Sequence, residues 1–496
     1  MIEFHNVSTA EFREVVRDRM GSSSRLAALW GFDSPGGFYL RALLSHANEP
    51  VGSYELVTAL VHEISYDALS VLIPGAQWYE RVIYDLYGIR AEGNLPLKPL
   101  VFPRHSTDDP PMTHQVSSSV VSRINVSSLQ RKAVGEGVFT IPYGPVRSGV
   151  FESIEYLVET FGEDISHLGV RVFHKHRGIE KRFEALNLME AVCLAERVEG
   201  VASVAHATAF CHAIENMTGT EVPESAELLR LVHAELERIV NHLDTFVRLT
   251  EGAGQAVANA RFGIYKEEIL RMRARLCGNR FGRGVVVIGG VSEGPQTNVD
   301  DILSELDSLE LEMNRDMDRL MRTPSFLDRL KGAGILSRDL ARQQGVVGPV
   351  ARGSGIYEDQ RSSKPYGAYA KLGFSPASPR IEGDVLARQQ VRVEELRTSI
   401  SLTRDALIRI GNDKASLWKS ELTESISGVS LGWVEAPQGE LVYMIEIEQN
   451  HINKVSMRCP SFCNLSALPL AFNGDILTDF VFIEASFSLI ISGVAG

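Results

Sequence analysis

The chain has 496 residues, which is more than one hydrophobic core usually supports, so we expect two or more domains. Hydrophobic residues make up 44% of the sequence and charged residues 23%, close to globular averages, which excludes an intrinsically disordered chain. The formal net charge of −13 excludes the basic surface that nucleic-acid binding needs, and it excludes electrostatic attraction to an anionic membrane.

The sequence predicts a cytoplasmic protein that reaches the inner face of the membrane only through partner subunits. Its N-terminus has no basic stretch followed by an apolar core, so we predict no secretory signal. No apolar run approaches the roughly 18 residues of a membrane span, and residues 481–496, which include Glu484, are predicted to be buried core. Five cysteines in so long a chain do not form a disulfide framework, which favours a reducing compartment.

Residues 1–103 are predicted to form a small α+β domain. Residues 76–87 have the apolar spacing of an amphipathic helix, and Gly88 is expected to end it. Short runs rich in apolar residues predict three strands. These strands are residues 38–44, 54–60 and 69–73.

Residues 104–138 are predicted to be a linker, because Ser, Thr, Asp and Pro replace the periodic pattern there. The rest of the chain, 139–496, is predicted to form a larger, mainly helical domain with a β-rich start, which makes the fold class mixed α/β (α+β). Its predicted strands are 139–143, 149–158 and 441–447, and its two long core helices are 225–249 and 299–321.

Two pairs of possible metal ligands are interpreted as structural. Cys459 and Cys463 lack the second cysteine pair that a structural zinc site needs, so we interpret them as free thiols. His174 and His176 would project to one face of an extended segment, but no third ligand is near in sequence. We therefore predict a polar loop there, before a helix that begins near Ile179.

A more specific pattern is the pair Glu199 and His206. If residues 197–206 were helical, these two side chains would lie on one face about two turns apart and could form a proton relay through water. The alternative is a glutamate favoured by the helix dipole and a hydrogen-bonded core histidine. The spacing alone leaves both open.

Several motifs resemble those of known protein families. Residues 78–89 are similar to the signature helix of the 30-kDa-type subunit of complex I, and 176–181 to a motif shared by the 49-kDa-type subunit and nickel-iron hydrogenase large subunits. Covering about 36–103 and 139–496, the resemblance lies closest to the fused, formate-hydrogenlyase-type (group 4) large subunit. Further similar segments follow in order, namely 221–226, 235–242, 289–291, 345–355, 365–366, 383–388 and 460–465.

The resemblance implies a nickel-iron centre that this sequence does not support. In the family's hydrogenases two Cys-x-x-Cys pairs hold the metals, because thiolates are soft ligands that bridge two metals. Here the first pair falls on Glu199 and Ala202, and the second on Ile490 and Gly493, so none of the four supplies a thiolate. We therefore expect this chain to bind no metal and no cofactor of its own.

The resemblance also implies a functional role for Glu199, and it weakens the case for quinone binding. Complex I has a carboxylate where Glu199 falls, near its quinone cavity, but its quinone-binding tyrosine falls on Leu188 and its histidine in the turn 144–149, which has none. Quinone remains a candidate ligand, with Arg147 or His206 as possible replacements.

The leading hypothesis is an oxidoreductase subunit of a complex-I-like or formate-hydrogenlyase-like membrane complex. It would transfer electrons next to a small iron-sulfur subunit that carries a four-iron four-sulfur cluster, with membrane subunits as further partners. Glu199 and His206 would exchange protons, while Arg177, Glu180 and Arg197 hold the surrounding helices through buried ion pairs. The alternatives are a non-catalytic scaffold subunit and a hydrogenase large subunit. NAD would bind elsewhere, because no Gly-rich strand-turn-helix fingerprint is present.

Overall fold

The computed structural model describes most of the chain, and the predicted linker 104–138 lies largely outside the described residues. None of the helices in the described part is long and apolar enough to cross a membrane. The described residues are 2–21, 23–34, 36–47, 52–94, 98–102, 110–113, 137–147, 152–184, 186–411, 418–420 and 426–496.

The N-terminal part is built on a four-stranded sheet in the order β1-β4-β3-β2, in which β1 runs parallel to β4 and the other neighbours are antiparallel. One helix packs on strand β2 and buries the ring of Trp78 and the side chain of Ile83. The elements are β1 (Ile2–Ser8), α1 (Thr9–Arg19), β2 (Ser24–Ser34), β3 (Gly37–His46), β4 (Ser53–Val61), β5 (Ser65–Asp67), α2 (Ala76–Tyr87) and β6 (Arg90–Glu92).

The structure confirms the predicted strands 38–44 and 54–60 and the helix 76–87. Helix α2 ends at Gly88 because that residue has a φ of +75°, which glycine adopts without strain. The predicted strand 69–73 is wrong. The carboxylate of Glu80 accepts the backbone N–H groups of Leu69 (2.6 Å) and Ser70 (3.1 Å), which holds this segment in a helical turn.

The larger part starts with the antiparallel sheet β7-β8-β9 and continues as helices. Helix α6 begins after Pro223, with Glu224 and Glu227 in its first turn, where acidic residues favour the helix dipole. It packs against two later helices of the chain, Ala256–Cys277 and Val385–Ile410. The elements up to the sixth helix are β7 (Val138–Tyr143), β8 (Glu155–Phe161), β9 (Asp164–Arg171), α3 (Ile179–Phe183), α4 (Leu188–Ala195), α5 (Ser203–Thr218) and α6 (Glu224–Gly252).

The middle of the chain completes the helical bundle. In α8 the side chain of Asn298 caps the helix by accepting the N–H of Asp300 (2.9 Å), and apolar residues at spacings of three and four are buried. The remaining elements of this region are α7 (Ala256–Cys277), β10 (Val286–Val287), β11 (Gly290–Val291), α8 (Val299–Leu320), α9 (Pro324–Leu330), α10 (Arg338–Gln344), α11 (Gly348–Gly353), α12 (Gln360–Ser363), α13 (Tyr369–Leu372) and α14 (Val385–Ile410).

A three-stranded antiparallel sheet and three short helices close the fold, and strand β12 of this sheet packs on helix α5. The approach is close at Gly432, where an added Cβ would lie 2.5 Å from the backbone nitrogen of Ala213. Only glycine fits at this crossing. The elements are β12 (Gly428–Ala436), β13 (Gly439–Glu448), β14 (His451–Arg458), α15 (Pro460–Ala467), α16 (Phe480–Phe487) and α17 (Ile491–Ala495).

These elements confirm the helices predicted at 225–249 and 299–321, the strands at 139–143 and 441–447, and mostly buried helices within 481–496. Of the strand predicted at 149–158, residues 149–151 lie outside the described residues, and the described part forms a strand only from Glu155. The reason is that the preceding Glu152 turns its carboxylate to the backbone N–H groups of Ile491 and Ser492 instead of continuing a strand.

The N-terminal sheet and helix α2 pack directly on β13, β14 and α15. The guanidinium of Arg458 donates to the carbonyl of Ala27 (2.8 Å), and the hydroxyl of Tyr54 donates to the carboxylate of Glu440 (2.5 Å). The ring of Phe462 packs against Tyr79 with centroids 4.7 Å apart. Because this interface contains both polar and aromatic contacts, the two parts are joined by more than their covalent connection.

A buried ionic cluster ties α6, α11, α14 and β12 together. Three arginines and four carboxylates form it, each almost completely buried. Burial and the neighbouring charge of Asp359 raise the pKa of Glu435 to about 7. This agrees with the composition of the cluster, which has one more carboxylate than it has arginines. Its members are Glu235, Arg238, Arg352, Asp359, Arg361, Glu395 and Glu435.

Candidate functional site

Residues 197–206 do not form a single helix, although Glu199 and His206, the pair considered on that spacing, do meet. Helix α4 ends at Ala195 and α5 begins at Ser203, so Glu199 lies in the turn between them. The carboxylate of Glu237, on α6, accepts the N–H groups of Val204 (2.9 Å) and Ala205 (3.0 Å), and this contact fixes where α5 starts.

Glu199 and His206 are both fully buried and face each other directly. The carboxylate oxygen Oε2 lies 3.6 Å from the ring nitrogen Nε2, which is too long for a hydrogen bond. Neither oxygen of Glu199 has a hydrogen-bond partner among the described residues. The other ring nitrogen, Nδ1, lies 2.7 Å from the hydroxyl of Tyr443 on β13. The imidazole is thus oriented by a tyrosine, and the carboxylate has no N–H or O–H donor among the described residues.

Cys459 is the third side chain of this site, which we call the Glu199 triad (Glu199, His206 and Cys459). Its Sγ lies 3.9 Å from Nε2 of His206, and the possible ligand atoms of all three residues lie within 4.8 Å of one another. Burial and the negative charge of Glu199 raise the pKa of the Cys459 thiol well above its usual value. The thiol is accordingly protonated at neutral pH.

The two cysteines treated together in the sequence have different surroundings. Cys463 is buried against the hydroxyl of Tyr79, 3.2 Å from its Sγ, whereas Cys459 faces Glu199. Neither forms a disulfide. The contact of Cys459 with His206 joins residues 253 positions apart, which no local spacing could have indicated.

Gly493, one of the two positions that the resemblance implies for the second cysteine pair, lies next to Glu199, which occupies a position of the first pair. A Cβ at Gly493 would overlap the carboxylate of Glu199 and lie 3.0 Å from Sγ of Cys459. The carboxylate therefore fills the space that a side chain at 493 would take. A nickel-iron centre held by two cysteine pairs needs four thiolates, and the site offers one thiol, so the residues present do not fit that group.

Arg177 connects the two segments that form this site. Its guanidinium donates to the carbonyls of Arg197 (3.1 Å), Val198 (2.7 Å) and Ser492 (3.0 Å), and its backbone N–H donates to the carbonyl of Gly496 (2.7 Å). The turn that carries Glu199 and the C-terminal segment are thus held side by side.

Glu180 borders the site from the other side. Its carboxylate accepts the backbone N–H of Met457 (2.9 Å), and burial raises its pKa to about 7. Together with Cys459 and Gly493 it lines a cavity of about 80 Å³ between the N-terminal and the larger part. The carboxyl group is close to half-protonated at neutral pH.

The predicted buried ion pairs of Arg177, Glu180 and Arg197 are corrected by these contacts. Two of them bond to backbone groups instead: Arg177 donates to the carbonyls of the turn at 197–198 and of Ser492 in α17, and Glu180 accepts the N–H of Met457. Arg197 does approach Glu196 (3.4 Å), but its side chain is 54% exposed. Such an exposed pair contributes little to stability.

Arg147 has a different environment from the triad. Its guanidinium donates to the carboxylate of Glu484 (2.8 Å) and lies over the rings of Tyr143 (5.3 Å) and Tyr156 (5.5 Å). These contacts join strands β7 and β8 to helix α16. With its charge engaged there, Arg147 is a weaker candidate than His206 for binding quinone.

The ring nitrogens of His174 and His176 face different partners. Nε2 of His174 lies 3.7 Å from Glu155, whereas Nδ1 of His176 lies 2.6 Å from the carbonyl of Ala495. A single helical turn carries the first of them, and α3 then begins at Ile179, as the sequence predicted.

A larger cavity that the sequence analysis missed, of about 360 Å³, opens on the other side of α5. His212 and Arg230 line it, and Arg230 is held by a bidentate contact with Glu215. Glu435 of the buried ionic cluster also borders it. The family-like segments 221–226, 235–242 and 365–366 contribute to its lining, but no local spacing indicated a cavity, because its walls come from α5, α6, α13 and β12.

Replacing Gly493 by alanine tests the packing between the two segments of the site. The added methyl group would overlap the Glu199 carboxylate, so we expect the free energy of unfolding to fall by about 1–3 kcal/mol. With Glu199→Ala in the same chain, the space is vacated and most of this loss should disappear. Urea unfolding of the wild type, both single variants and the double variant measures the coupling. Strictly additive effects would contradict the contact.

Two family models match the chain. Residues 5–118 match the 30-kDa subunit of respiratory-chain NADH dehydrogenase, and residues 260–425 and 418–495 match its 49-kDa subunit. The first region holds the N-terminal sheet and helix α2. The second runs from α7 to the C-terminal helices.

Characterised proteins from several organisms are similar over most of the larger part. The alpha subunit of the membrane-bound hydrogenase of Pyrococcus furiosus is 30% identical over 361 residues, which cover 70% of this chain and 84% of that protein. An NADH-quinone oxidoreductase protein of Koribacter versatilis is 31% identical, with coverages of 70% and 93%. Formate hydrogenlyase subunit 5 of Escherichia coli is 26% identical over 84% of this chain and 74% of its own length.

Proposed function

The chain belongs to the family of the 49-kDa subunit of respiratory-chain NADH dehydrogenase and the membrane-bound hydrogenase subunits, fused to a 30-kDa-type domain, and from this premise we propose its function. It is a peripheral-arm subunit of a membrane-bound, complex-I-like or formate-hydrogenlyase-like oxidoreductase, and it works without a nickel-iron centre. Its partners are a small iron-sulfur subunit with a four-iron four-sulfur cluster and membrane subunits, on the cytoplasmic side.

The state of Glu199 is the observation that carries this proposal. A fully buried carboxylate without a hydrogen-bond partner is costly to keep, so its retention in the core supports a functional role. It also fills the space beside Gly493, where a thiolate ligand of a bimetallic centre would need room. Both features support a site that has exchanged metal chemistry for proton chemistry.

Glu199 and His206 exchange protons in this proposal. The separation of 3.6 Å is closed by a small movement of the carboxylate, and the hydroxyl of Tyr443 holds the imidazole in place by its other nitrogen. The neighbouring cavity of about 80 Å³ has room for water, which would connect the pair to Glu180. Electrons from the partner's cluster would then be accompanied by protons from this chain.

Quinone is the proposed electron acceptor. Some relatives are named as components of NADH-quinone oxidoreductases, which supports this class of substrate. His206 is the polar group that remains to bind a quinone carbonyl, since Leu188 stands at the position of the family's tyrosine and Arg147 is engaged by Glu484.

The test uses the assembly purified with its partner subunits. Quinone reduction is measured for the wild type, for Glu199→Gln and for the control Glu163→Gln, which removes an exposed carboxylate outside the site. We expect at least about a tenfold loss in the first variant, since one proton carrier is removed, and no change in the control.

Two other outcomes would replace the proposal. Nickel at about one atom per chain, measured by elemental analysis of the same preparation, would show a hydrogenase large subunit. Quinone reduction that is absent from the wild type as well as from the variant would show a scaffold subunit. Equal activity of Glu199→Gln and wild type would exclude Glu199 from proton transfer.

A further inference from the structure

The Glu199 triad combines three different ligand types in one buried place. A carboxylate oxygen, an imidazole nitrogen and a sulfur atom lie within 4.8 Å of one another, on the turn before α5, on α5 itself and at the end of β14. The two oxygens of Glu199 accept no N–H or O–H donor among the described residues, and the carboxylate faces the protonated thiol of Cys459. That combination leaves a gap between ligands and not a closed hydrogen-bond network.

The distances fit one small cation at the centre of the gap. Zinc binds nitrogen and oxygen at about 2.0–2.1 Å and sulfur at about 2.3 Å, so the edges of its tetrahedron measure roughly 3.3–3.6 Å. The observed separations are 3.6 Å from Nε2 of His206 to Glu199 and 3.9 Å from Nε2 to Cys459. These two edges would contract by a few tenths of an ångström around the ion, and the third, from Glu199 to Cys459, already lies within 4.8 Å.

The surroundings of His206 support metal binding through Nε2. Its Nδ1 lies 2.7 Å from the hydroxyl of Tyr443, so an Nδ1–H group can donate to the tyrosine oxygen while the lone pair of Nε2 faces Glu199 and Cys459. Metal-bound histidines commonly have their second nitrogen fixed in this way. Tyr443 would thus orient the ligand without touching the ion.

The ligand set selects a class of metal. Calcium and magnesium require mainly oxygen ligands, whereas one nitrogen, one oxygen and one sulfur suit zinc and its neighbours. Of the three ligand residues, Cys459 lines the neighbouring cavity of about 80 Å³, which has room for a water molecule as a fourth ligand.

We propose that Glu199, His206 and Cys459 bind a single zinc-class divalent cation. This site differs from a nickel-iron centre in its ligands, in holding one metal and in needing no residue at 490 or 493. Binding releases the thiol proton of Cys459 to solvent, so affinity rises with pH. The expectation that this chain binds no metal of its own followed from the missing cysteine pairs, and a site made of Glu199, His206 and Cys459 needs neither pair.

A bound cation would also regulate the proposed proton relay, and this part of the inference rests on the proposed function. Metal binding occupies Nε2 of His206 and the carboxylate of Glu199, which are the atoms that exchange protons in the relay. The two states therefore exclude each other, and saturation with zinc should stop quinone reduction.

The test measures binding independently of activity. The assembly with its partners is stripped with a chelator, and the uptake of Zn²⁺ and Co²⁺ is compared for wild type, Cys459→Ser and Cys463→Ser. Cys463 is an equally buried thiol four positions away and serves as the matched control. We expect Cys459→Ser to bind at least about 100-fold more weakly and to lose the sulfur-to-cobalt absorption band, while Cys463→Ser behaves as wild type.

Each outcome decides the inference. Wild-type affinity and an unchanged cobalt spectrum in Cys459→Ser would overturn it, as would a wild type that takes up no zinc beyond that bound by a Glu199→Gln/His206→Gln variant. Zinc binding with full quinone reduction would overturn the regulatory part alone. The relay itself is tested by Glu199→Gln in the metal-free assembly, so failure of the relay and failure of the metal site are distinguishable.

Discussion

Replacing Arg352 by methionine is expected to lower the free energy of unfolding by about 3–5 kcal/mol. The guanidinium is completely buried and donates to Glu395 (2.8 Å), Glu435 (3.1 Å) and the carbonyl of Glu358 (2.7 Å). Methionine keeps much of the volume but removes the charge, which leaves carboxylates in the core without compensation. Urea unfolding followed by far-UV circular dichroism measures the loss.

Arg397→Met is the matched control for that experiment. Arg397 also pairs with a carboxylate, Asp318 (2.8 Å), but the two side chains are 43% and 54% exposed. Water screens such a pair, so its loss should cost less than about 1 kcal/mol. If both variants lost the same stability, the buried ionic cluster would have no special role in holding α6, α11, α14 and β12 together.

Replacing Gly432 by alanine is expected to cost about 3 kcal/mol and to disturb the functional site as well. The new Cβ would overlap backbone atoms of Ala209 and Ala213 in α5, which cannot move aside as a flexible side chain can. Gly432 pairs directly with Tyr443 in the sheet, and Tyr443 contacts His206. The same substitution should therefore weaken both urea resistance and quinone reduction.

Gly263→Ala is the matched control, and it is expected to raise the free energy of unfolding. Gly263 lies within helix α7, and no atom lies within 4 Å of the position its Cβ would take. Because alanine is the better helix former, this variant should gain up to about 1 kcal/mol. A loss at Gly432 no larger than at Gly263 would contradict the close crossing of β12 over α5.

The elements that the sequence predicted well are those with local signals. Helix α2 matches its predicted bounds because its apolar stripe and the terminal Gly88 lie in one short window. The long helices α6 and α8 have the same advantage, with buried residues at spacings of three and four. Where a long-range contact overrides the local pattern, as Glu80 does at Leu69 and Ser70, the prediction failed.

The candidate site was predictable only in part for the same reason. Glu199 and His206 were found, but no single helix aligns them. Glu237, more than thirty residues further along the chain, caps the start of α5 and leaves Glu199 in the turn before it. Cys459 was noted only together with Cys463 and interpreted as structural, and nothing in the sequence linked it to His206, which it reaches from the end of β14. Metal ligation could not be judged from spacing, because the three side chains meet only through tertiary packing.

The contacts of Arg177 divide the site into two mechanical halves. His206 and Tyr443 belong to a helix and a sheet, whereas Glu199 belongs to a turn and Gly493 to the C-terminal helix α17, which one guanidinium binds together. Its bonds to Arg197 and Val198 hold the turn and its bond to Ser492 holds α17, so the two segments separate only when one of these sides is released, at about 1.5–3 kcal/mol per hydrogen bond of a charged donor. Loss of this one side chain would therefore loosen the Glu199 side of the site from α17 while leaving the contact of His206 with Tyr443 in place.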